Sequence, residues 1–308
     1  MIDFLKLTTE NQNLINDLLK FAEDNLKPHR AQNNYYLAFS NGSGRFRFEF
    51  RKIVKNRELI GFRNAEICFS PHYIFNSDLH NANDFTPKQC INIIKYVLDF
   101  VGIQKTNFKE FAVTNIEFGL NLQISGVPDI VGGILYTKRT PFQTKGFPNF
   151  KISLSTKHKE IKTYDKGCQF PMYGIGEVFR FEVRIKKSRN IQKLGVYDVL
   201  DLLDVQKYNS LFQSIIDEWE QILIINKKLN TKENKKQFWD DVLHEKNRNR
   251  FGIEKRKYYE NLHDSNNLHR IIKVKMIDKI NNLSKCANSP QKHPIKGEFL
   301  KMENDVNY

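Results

Sequence analysis

Two glutamates, one tyrosine and two nearby cations have the side-chain types needed to cleave a phosphodiester. Glu117 and Glu182 fall on the polar sides of two alternating segments, and carboxylates on neighbouring strands can hold one hard divalent ion through oxygen ligands. Tyr164 lies in a third alternating segment, and a tyrosine beside such an ion could attack phosphorus. Lys166 or Arg180 could stabilise the negative charge that develops on the phosphoryl oxygens. Together these residues predict metal-assisted phosphoryl transfer.

Three strands are predicted to position these side chains on the polar face of a sheet. Residues 111–122 and 178–185 alternate apolar and polar side chains, and 150–154 forms a hairpin with 160–166. Because side chains alternate along a strand, the two glutamates and the tyrosine share one face if these strands are neighbours. The order of the strands does not follow from alternation alone.

The rest of the pattern predicts the fold class. An amphipathic helix follows the cap-like Thr8–Glu10, and the strand 46–50 directs three phenylalanines inward. Pro87 opens a second amphipathic helix, and an apolar helical stripe runs from Leu211 to Leu223. We therefore predict an α+β protein with a largely antiparallel sheet packed on helices, followed by a basic, all-helical C-terminal region.

The distribution of charge divides the predicted chain into parts. Residues 227–296 contain 18 Lys and Arg against 8 Asp and Glu, whereas the body before them has mixed charge. We predict an α+β catalytic domain over 1–205, a basic helical DNA-binding region over 206–285 and a flexible tail over 286–308. The basic excess could instead serve solubility alone.

The composition points to a polyanionic partner. The chain has 308 residues, a formal net charge of +14 and 40% hydrophobic residues, which excludes a chain disordered throughout. No apolar run reaches the roughly 20 residues of a membrane span, and the N-terminus lacks the pattern of a signal peptide. Four cysteines without a CxxC pair fit a reducing cytoplasm rather than a disulfide scaffold. We expect a cytoplasmic protein that does not insert into membranes.

Structural roles compete with the catalytic interpretation at each of these positions. A glutamate on the polar side of a strand is usually a solvated surface residue, and most tyrosines serve packing. Arg180, Glu182 and Arg184 could form cross-strand ion pairs on an exposed face. The histidines show no zinc-binding spacing and are more simply structural.

Four short motifs, in order, resemble a known family. Residues 161–167 (IKTYDKG) are followed by 179–186 (FRFEVRIK), with 115–121 (NIEFGLN) before them and 195–202 (GVYDVLDL) after them. This series is similar to the phage and plasmid replication proteins of the gene II/X family, the filamentous-phage initiators of rolling-circle replication. It resembles more distantly the plasmid replication initiation factor family. The resemblance covers about residues 60–205, and Tyr197 stands where the family usually has a small polar residue.

The resemblance implies a DNA nicking and closing enzyme. Tyr164 would attack a phosphodiester at the replication origin and form a covalent 5′-phosphotyrosine, leaving a 3′-OH that primes a polymerase. Mg²⁺ or Mn²⁺ would lie between Glu117 and Glu182, with Asp165 as a third ligand, and Lys166 would stabilise the pentavalent oxyanion. The alternative candidates for the nucleophile are Tyr136, Tyr173 and Tyr197.

The implied partners are origin DNA, single-stranded or supercoiled, and the polymerase and helicase of a bacterial host cell, whose cytoplasm is the expected location. An oligomer is compatible with this function. The cations predicted to contact DNA are Lys162, Arg180, Arg184, Lys186, Lys235, Lys236, Arg248, Arg250, Lys255, Arg256 and Lys257.

Two other functions fit the same residues. A non-catalytic DNA-binding replication or regulatory factor could keep the fold without cleaving DNA. A metal-dependent nuclease could use water in place of tyrosine and would leave no protein–DNA adduct.

Overall fold

The structure of the protein is a computed structural model, which describes residues 1–30, 32–145, 150–245, 247 and 249–286. Two compact units are present: the first comprises 1–118 and 185–211, and the second comprises 119–184 and 212–285. The second unit thus combines residues from both sides of position 205. The assignment of catalytic and DNA-binding parts stays a prediction, and the tail after Cys286 lies outside the described residues.

The strands and helices alternate along the chain in an α+β arrangement, which confirms the predicted class. The strands are β1 (Ile2–Thr9), β2 (Lys27–Pro28), β3 (Tyr36–Ser40), β4 (Phe46–Lys55), β5 (Glu58–Phe69), β6 (Ala112–Gln123), β7 (Ile134–Thr137), β8 (Thr140–Pro141), β9 (Gln143–Thr144), β10 (Phe150–Thr156), β11 (Lys159–Asp165), β12 (Val178–Ile185) and β13 (Ile222–Ile224). The helices are α1 (Gln12–Asn25), α2 (Pro71–Phe75), α3 (Pro87–Phe100), α4 (Val127–Gly133), α5 (Lys166–Gln169), α6 (Ser188–Gln192), α7 (Val199–Leu202), α8 (Lys207–Glu220), α9 (Lys236–His244), α10 (Arg250–Glu260) and α11 (Leu268–Cys286).

Ten of the strands form one large sheet in the order β2-β3-β4-β5-β1-β6-β12-β11-β10-β9. The strand pairs whose register is defined are antiparallel, among them β1 with β5 and β6, and β10 with β11. A smaller sheet in the second unit has the order β13-β7-β8. This topology makes β6, β12 and β11 neighbours, as the predicted site requires.

Local sequence explains several helices and strands of the first unit. Pro87 begins α3, and Thr86 and Gln89 form a capping box that satisfies two backbone donors of its first turn. The phenylalanines of β4 at positions 46, 48 and 50 are fully buried, as the alternation predicts. The turn between β4 and β5 has positive φ at Asn56 and Arg57, which suits the twist of a two-residue hairpin.

Two elements of the first unit differ from expectation. Residues 2–9 form β1, whereas the sequence predicted a helix starting with the cap-like Thr8–Glu10. The cap is Asn11, whose side chain accepts hydrogen bonds from the backbone of Asn13 and Leu14. The strand forms because β1 pairs on both sides, with β5 and with β6, which a local cap signal cannot reveal.

Trp219 of α8 is fully buried in the second unit. Its ring contacts Phe179 and Phe181 of β12 edge to face, at centroid distances of 6.1 and 5.3 Å. The helix ends at Glu220, not at Leu223 as the apolar stripe predicted. Residues 222–224 instead pair with β7 and are fully buried, so sheet pairing replaces the last helical turn and the C-terminal region is not wholly helical.

Among the described residues, no helix is long and apolar enough to cross a membrane.

Candidate active site

The phenol of Tyr164 is hydrogen-bonded to a buried glutamate in the second unit. Its hydroxyl donates to Oε1 of Glu182 at 2.5 Å, and the two side chains are 5% and 2% exposed. Tyr164 lies near the end of β11 and Glu182 in the middle of β12, which is the neighbouring strand. The structure therefore brings together the predicted nucleophile and one predicted metal ligand.

Two cations hold the carboxylate of Glu182, and an amide in turn holds one of these cations. Nε of Arg180 donates to Oε1 at 3.0 Å, and Nζ of Lys162 lies 3.5 Å from Oε2. Arg180 also donates through Nη1 to Oδ1 of Asn121 on β6 at 3.1 Å. Because Arg180 and Glu182 are both almost fully buried, each depends on the other to neutralise its charge.

Lys166 approaches the tyrosine from the other end of the network. Its Nζ donates to the Tyr164 hydroxyl at 3.1 Å, and the side chain is fully buried. The ammonium also lies over the ring of Phe170, 5.1 Å from its centroid. Strand β11 ends at Asp165, one residue before the predicted end, and Lys166 begins α5. The side chain of Lys166 therefore reaches back to the phenol of Tyr164. A cation is thus held against the oxygen that would attack phosphorus.

Close packing around the two strands sets the position of this network. Phe150 pairs with Tyr164 across the β10–β11 ladder, and the two rings stack at 5.2 Å. Gly119 of β6 passes so close to β12 that an added Cβ would lie 2.2 Å from the carbonyl oxygen of Phe181 and 3.0 Å from Cγ of Glu182. Only glycine fits at position 119, because the obstructing atom is backbone.

Asp165, the third implied metal ligand, has a different partner. Its Oδ1 accepts a hydrogen bond from the backbone N–H of Cys168 at 3.1 Å, and Oδ2 lies 3.2 Å from Sγ of the same residue. Asp165 is the N-cap of α5 and orients the turn that carries Lys166. Neither group of described residues that could hold a metal ion includes it.

Asp3 and Glu117 in the first unit and Glu182 in the second are buried carboxylates, and each could supply an oxygen ligand to a divalent ion. In the first unit, Glu117 pairs with Phe4 across β1 and β6, and a register shift between Ile2 and Phe4 leaves Asp3 at a bulge. Carboxylate oxygens are the donors that Mg²⁺ and Mn²⁺ prefer, so these residues fit the implied ion.

The imidazole of His72 contacts the carboxylate of Asp3. Nδ1 of His72 lies 3.1 Å from Oδ1 of Asp3, and the ring stacks on Phe85 at 4.6 Å. Burial lowers the pKa of His72 to about 4, so its imidazole is neutral at pH 7. Sequence reasoning assigned His72 a structural role and missed Asp3; the alternation of residues 2–7 was the available signal.

A second acidic group lies on β4 and β5 and is better explained as an ion-pair cluster. Glu49, Glu66 and Cys68 have ligand atoms within 4.8 Å of one another. Lys6 bridges both glutamates, at 3.1 Å from Glu49, and burial raises the pKa of Cys68 to about 12. A protonated thiol and carboxylates already paired with an ammonium are poor metal ligands.

The cations predicted to contact DNA are in unlike environments. Arg180 is 1% exposed and holds Glu182, Lys162 is partly buried beside the same carboxylate, and Arg184 is half-buried. Lys255 is half-buried. The other described cations of this set are exposed: Lys186, Lys235, Lys236, Arg250, Arg256 and Lys257. Arg248 lies outside the described residues. The burial of Arg180 favours a positioning role over a phosphate contact.

The network in the second unit has the parts needed for nucleophilic attack by a phenol. Glu182 can accept the phenolic proton over a 2.5 Å hydrogen bond, and Lys166 can stabilise negative charge on the oxygen. Asn121 and Phe150, which sequence reasoning did not single out as site residues, orient Arg180 and the phenol ring.

Comparison with solved structures finds structural likenesses, among them a weak one to a replication initiator. The solved structure of a rolling-circle replication initiator protein from Geobacillus stearothermophilus matches 79% of this chain and 94% of its own, at a TM-score of 0.42 and 12% identity. No protein-family model and no curated protein matches the sequence. A likeness at this level carries no argument about function, which depends on the residues of the site.

Proposed function

We propose that the protein initiates rolling-circle DNA replication by nicking one strand with Tyr164 as the nucleophile. The observation that carries this proposal is the position of the Tyr164 hydroxyl, hydrogen-bonded to Glu182 on one side and to Lys166 on the other. A tyrosine that only packs needs neither a carboxylate nor an ammonium at its oxygen. A metal-dependent, site-specific endonuclease and strand transferase follows as the proposed activity.

The proposed step exchanges one ester for another. The phenolic oxygen attacks phosphorus as its proton passes to Glu182, and the bond from phosphorus to the 3′ oxygen breaks. The products are a 5′-phosphotyrosine and a 3′-hydroxyl, which takes its proton from solvent. Because the phosphotyrosine keeps the energy of the phosphodiester, the reverse transfer can later close a circle. Tyr164 is 5% exposed, so side chains over it must move before DNA enters.

Glu117 and Glu182 are the proposed ligands of Mg²⁺ or Mn²⁺, and Asp3 is a further one. When bound, such an ion polarises the phosphoryl oxygens and makes phosphorus more electrophilic. The charge of Glu182 is shared with Arg180 and Lys162, which hold the carboxylate oriented in the absence of DNA. The resemblance also proposed Asp165 as a ligand, whereas its capping of α5 favours a positioning role.

The basic helices after residue 226 are the proposed grip on duplex DNA, through phosphates and with little sequence preference. Their cations at 235, 236, 250, 255, 256 and 257 are the proposed contacts, together with Arg184 and Lys186. A host polymerase would extend the 3′-hydroxyl and a helicase would open the duplex.

Tyr164→Phe tests the proposal. Purified protein is incubated with supercoiled DNA carrying its own replicon and Mg²⁺, and any adduct is mapped by mass spectrometry after a denaturing gel. We expect an adduct on Tyr164 in the wild type and none in the variant, which should still bind DNA. Tyr173→Phe, a nearby change of the same kind, is the control and should nick normally.

Other outcomes separate the alternatives. Nicking without an adduct would show that water is the nucleophile. Unchanged cleavage by Tyr164→Phe would exclude this residue and direct attention to Tyr136, Tyr173 and Tyr197. DNA binding without cleavage by the wild type would indicate a non-catalytic factor.

A further inference from the structure

A cavity of about 390 Å³ in the second unit is lined by four cations. Lys138 and Arg139 form the turn between β7 and β8, and Lys255 and Arg256 project from α10 on the other side. The remaining lining residues are Gln221, Phe251, Gly252 and Tyr259. Among these described lining residues none is acidic. We call this cavity the cationic pocket.

Hydrogen bonds fix both walls of the cationic pocket. The backbone N–H of Lys138 donates to the carbonyl of Gln221 at 2.9 Å, and Nη2 of Arg139 donates to the carbonyl of Leu243 at the same distance. On the opposite wall, the hydroxyl of Tyr259 accepts from the backbone N–H of Ile224 at 2.9 Å. These hydrogen bonds therefore hold in place the turn that carries Lys138 and Arg139.

Lys255 is held in the pocket wall by a backbone carbonyl. Its Nζ donates to the backbone carbonyl of Glu220 at 2.7 Å, whereas the carboxylate of Glu220 pairs with Lys273. Burial lowers the pKa of Lys255 to about 8, which the charge of Glu220 offsets only in part. An anion in the pocket would further stabilise the charged form of Lys255.

We propose that the cationic pocket binds a backbone phosphate of DNA. Converging Lys and Arg side chains without an acid are the chemistry that recognises a phosphodiester. The cavity volume falls in the ordinary range for ligand pockets and leaves room for the sugars on either side of the phosphate. The inference rests on the proposed function for the identity of the ligand, and it adds Lys138 and Arg139 to the predicted DNA contacts.

Gly252 offers a way to close the pocket without disturbing the fold. It lies in the first turn of α10, it is exposed, and an added Cβ would meet no atom within 4 Å. Gly252→Glu therefore places bulk and negative charge in the pocket while removing a poor helix former. Gly252→Ala makes the same backbone change with almost no bulk and is the matched control.

The test measures binding of a fluorescent duplex oligonucleotide by anisotropy over a series of salt concentrations. Lys138→Gln with Arg256→Gln removes one exposed cation from each wall, and Lys20→Gln with Lys95→Gln removes two exposed cations from α1 and α3 as a charge-matched control. We expect Gly252→Glu and the pocket double variant to bind about tenfold more weakly. The slope of log K against log salt should fall by about 0.9 for each DNA phosphate that the variant no longer neutralises. Gly252→Ala and the control pair should keep the wild-type slope.

Each other outcome would overturn the inference. Pocket variants that bind duplex like the Lys20 and Lys95 control would show that the pocket does not contact DNA. Phosphorus NMR distinguishes the source of the phosphate: inorganic phosphate broadened by wild type but not by Gly252→Glu, with duplex affinity unchanged, would assign the pocket to the free ion.

Adduct formation on Tyr164 is scored separately in the same variants. Pocket variants that form a normal adduct and keep the wild-type affinity for duplex DNA would refute the pocket proposal and leave the proposed function standing. If binding depends on the pocket but the wild type forms no adduct, the proposed nicking activity is refuted and the pocket proposal stands.

Discussion

The Tyr164 hydroxyl and Oε1 of Glu182 lie 2.5 Å apart on neighbouring strands, in a region from which water is almost excluded. In such surroundings a hydrogen bond is electrostatically stronger than it would be at the surface. Lys166 supplies a third member of the chain at 3.1 Å from the phenol oxygen. The contribution of each member can be measured separately.

Glu182→Gln should abolish cleavage and also destabilise the protein. The change keeps the shape of the side chain but removes the charge that neutralises the buried guanidinium of Arg180. Breaking a buried pair by removing one partner costs about 3–5 kcal/mol, and we expect a loss of that order in urea unfolding. Glu58→Gln in the exposed β4–β5 turn region is the control. Normal cleavage by Glu182→Gln would exclude the glutamate as proton acceptor.

Lys166→Met should reduce activity far more than stability. Methionine fills the buried space and leaves no large cavity, but the lost donor to the Tyr164 hydroxyl should cost about 1–3 kcal/mol of stability. Loss of one positioned donor to developing negative charge typically costs about 10²–10³ in rate. We therefore expect a slow but folded enzyme in single-turnover cleavage assays. Lys157→Met in the exposed β10–β11 turn should cleave at the wild-type rate, and a Lys166→Met variant that does so too would contradict the assigned role.

Asp165→Asn distinguishes a capping residue from a metal ligand. Asparagine is as good an N-cap as aspartate, so the variant should keep its stability, its cleavage and its Mg²⁺ dependence. Asp165→Ala should lose about 1 kcal/mol of stability with the cap. A selective rise in the Mg²⁺ concentration that Asp165→Asn needs for cleavage would instead support Asp165 as the third ligand.

The free energy of unfolding should fall between pH 6.5 and pH 4. Burial lowers the pKa of His269, as of His72, to about 4 in the folded protein. Below pH 6.5 both histidines become protonated in the unfolded chain, whereas in the folded protein they stay neutral down to about pH 4. The free energy of unfolding is therefore at its full value above pH 6.5 and declines as the pH falls. At pH 5 each histidine contributes a loss of at most about 2 kcal/mol. His269→Gln should weaken this dependence in urea titrations, and the exposed His263→Gln should not.

Strand alternation was sufficient to predict the elements that carry the candidate site. The segments 111–122, 160–166 and 178–185 match strands of the structure to within one residue at each end. The hydrogen bond between Tyr164 and Glu182 agrees with their predicted position on one face of the sheet. Parity is a property of a single strand, fixed by backbone geometry, and is therefore visible in a short window of sequence.

The burial of the site was not predictable in the same way. Alternation assigned Arg180 and Lys166 to a polar face, but exposure of that face depends on which distant segments cover it. Likewise, β1 forms because two remote strands accept it, and Ile222–Ile224 leave the helical pattern because β7 pairs with them. Long-range pairing outweighs local propensity in both cases.

Gly119 gives the site a requirement that has nothing to do with reactivity. The backbone of β12 occupies the volume where any side chain at position 119 would begin, directly beside the atoms that carry the Glu182 carboxylate. In a library covering every substitution, position 119 should therefore tolerate as little change as Tyr164, the proposed nucleophile. A residue with no side-chain chemistry would be scored as essential, because the backbone that carries Glu182 already fills the space beside it.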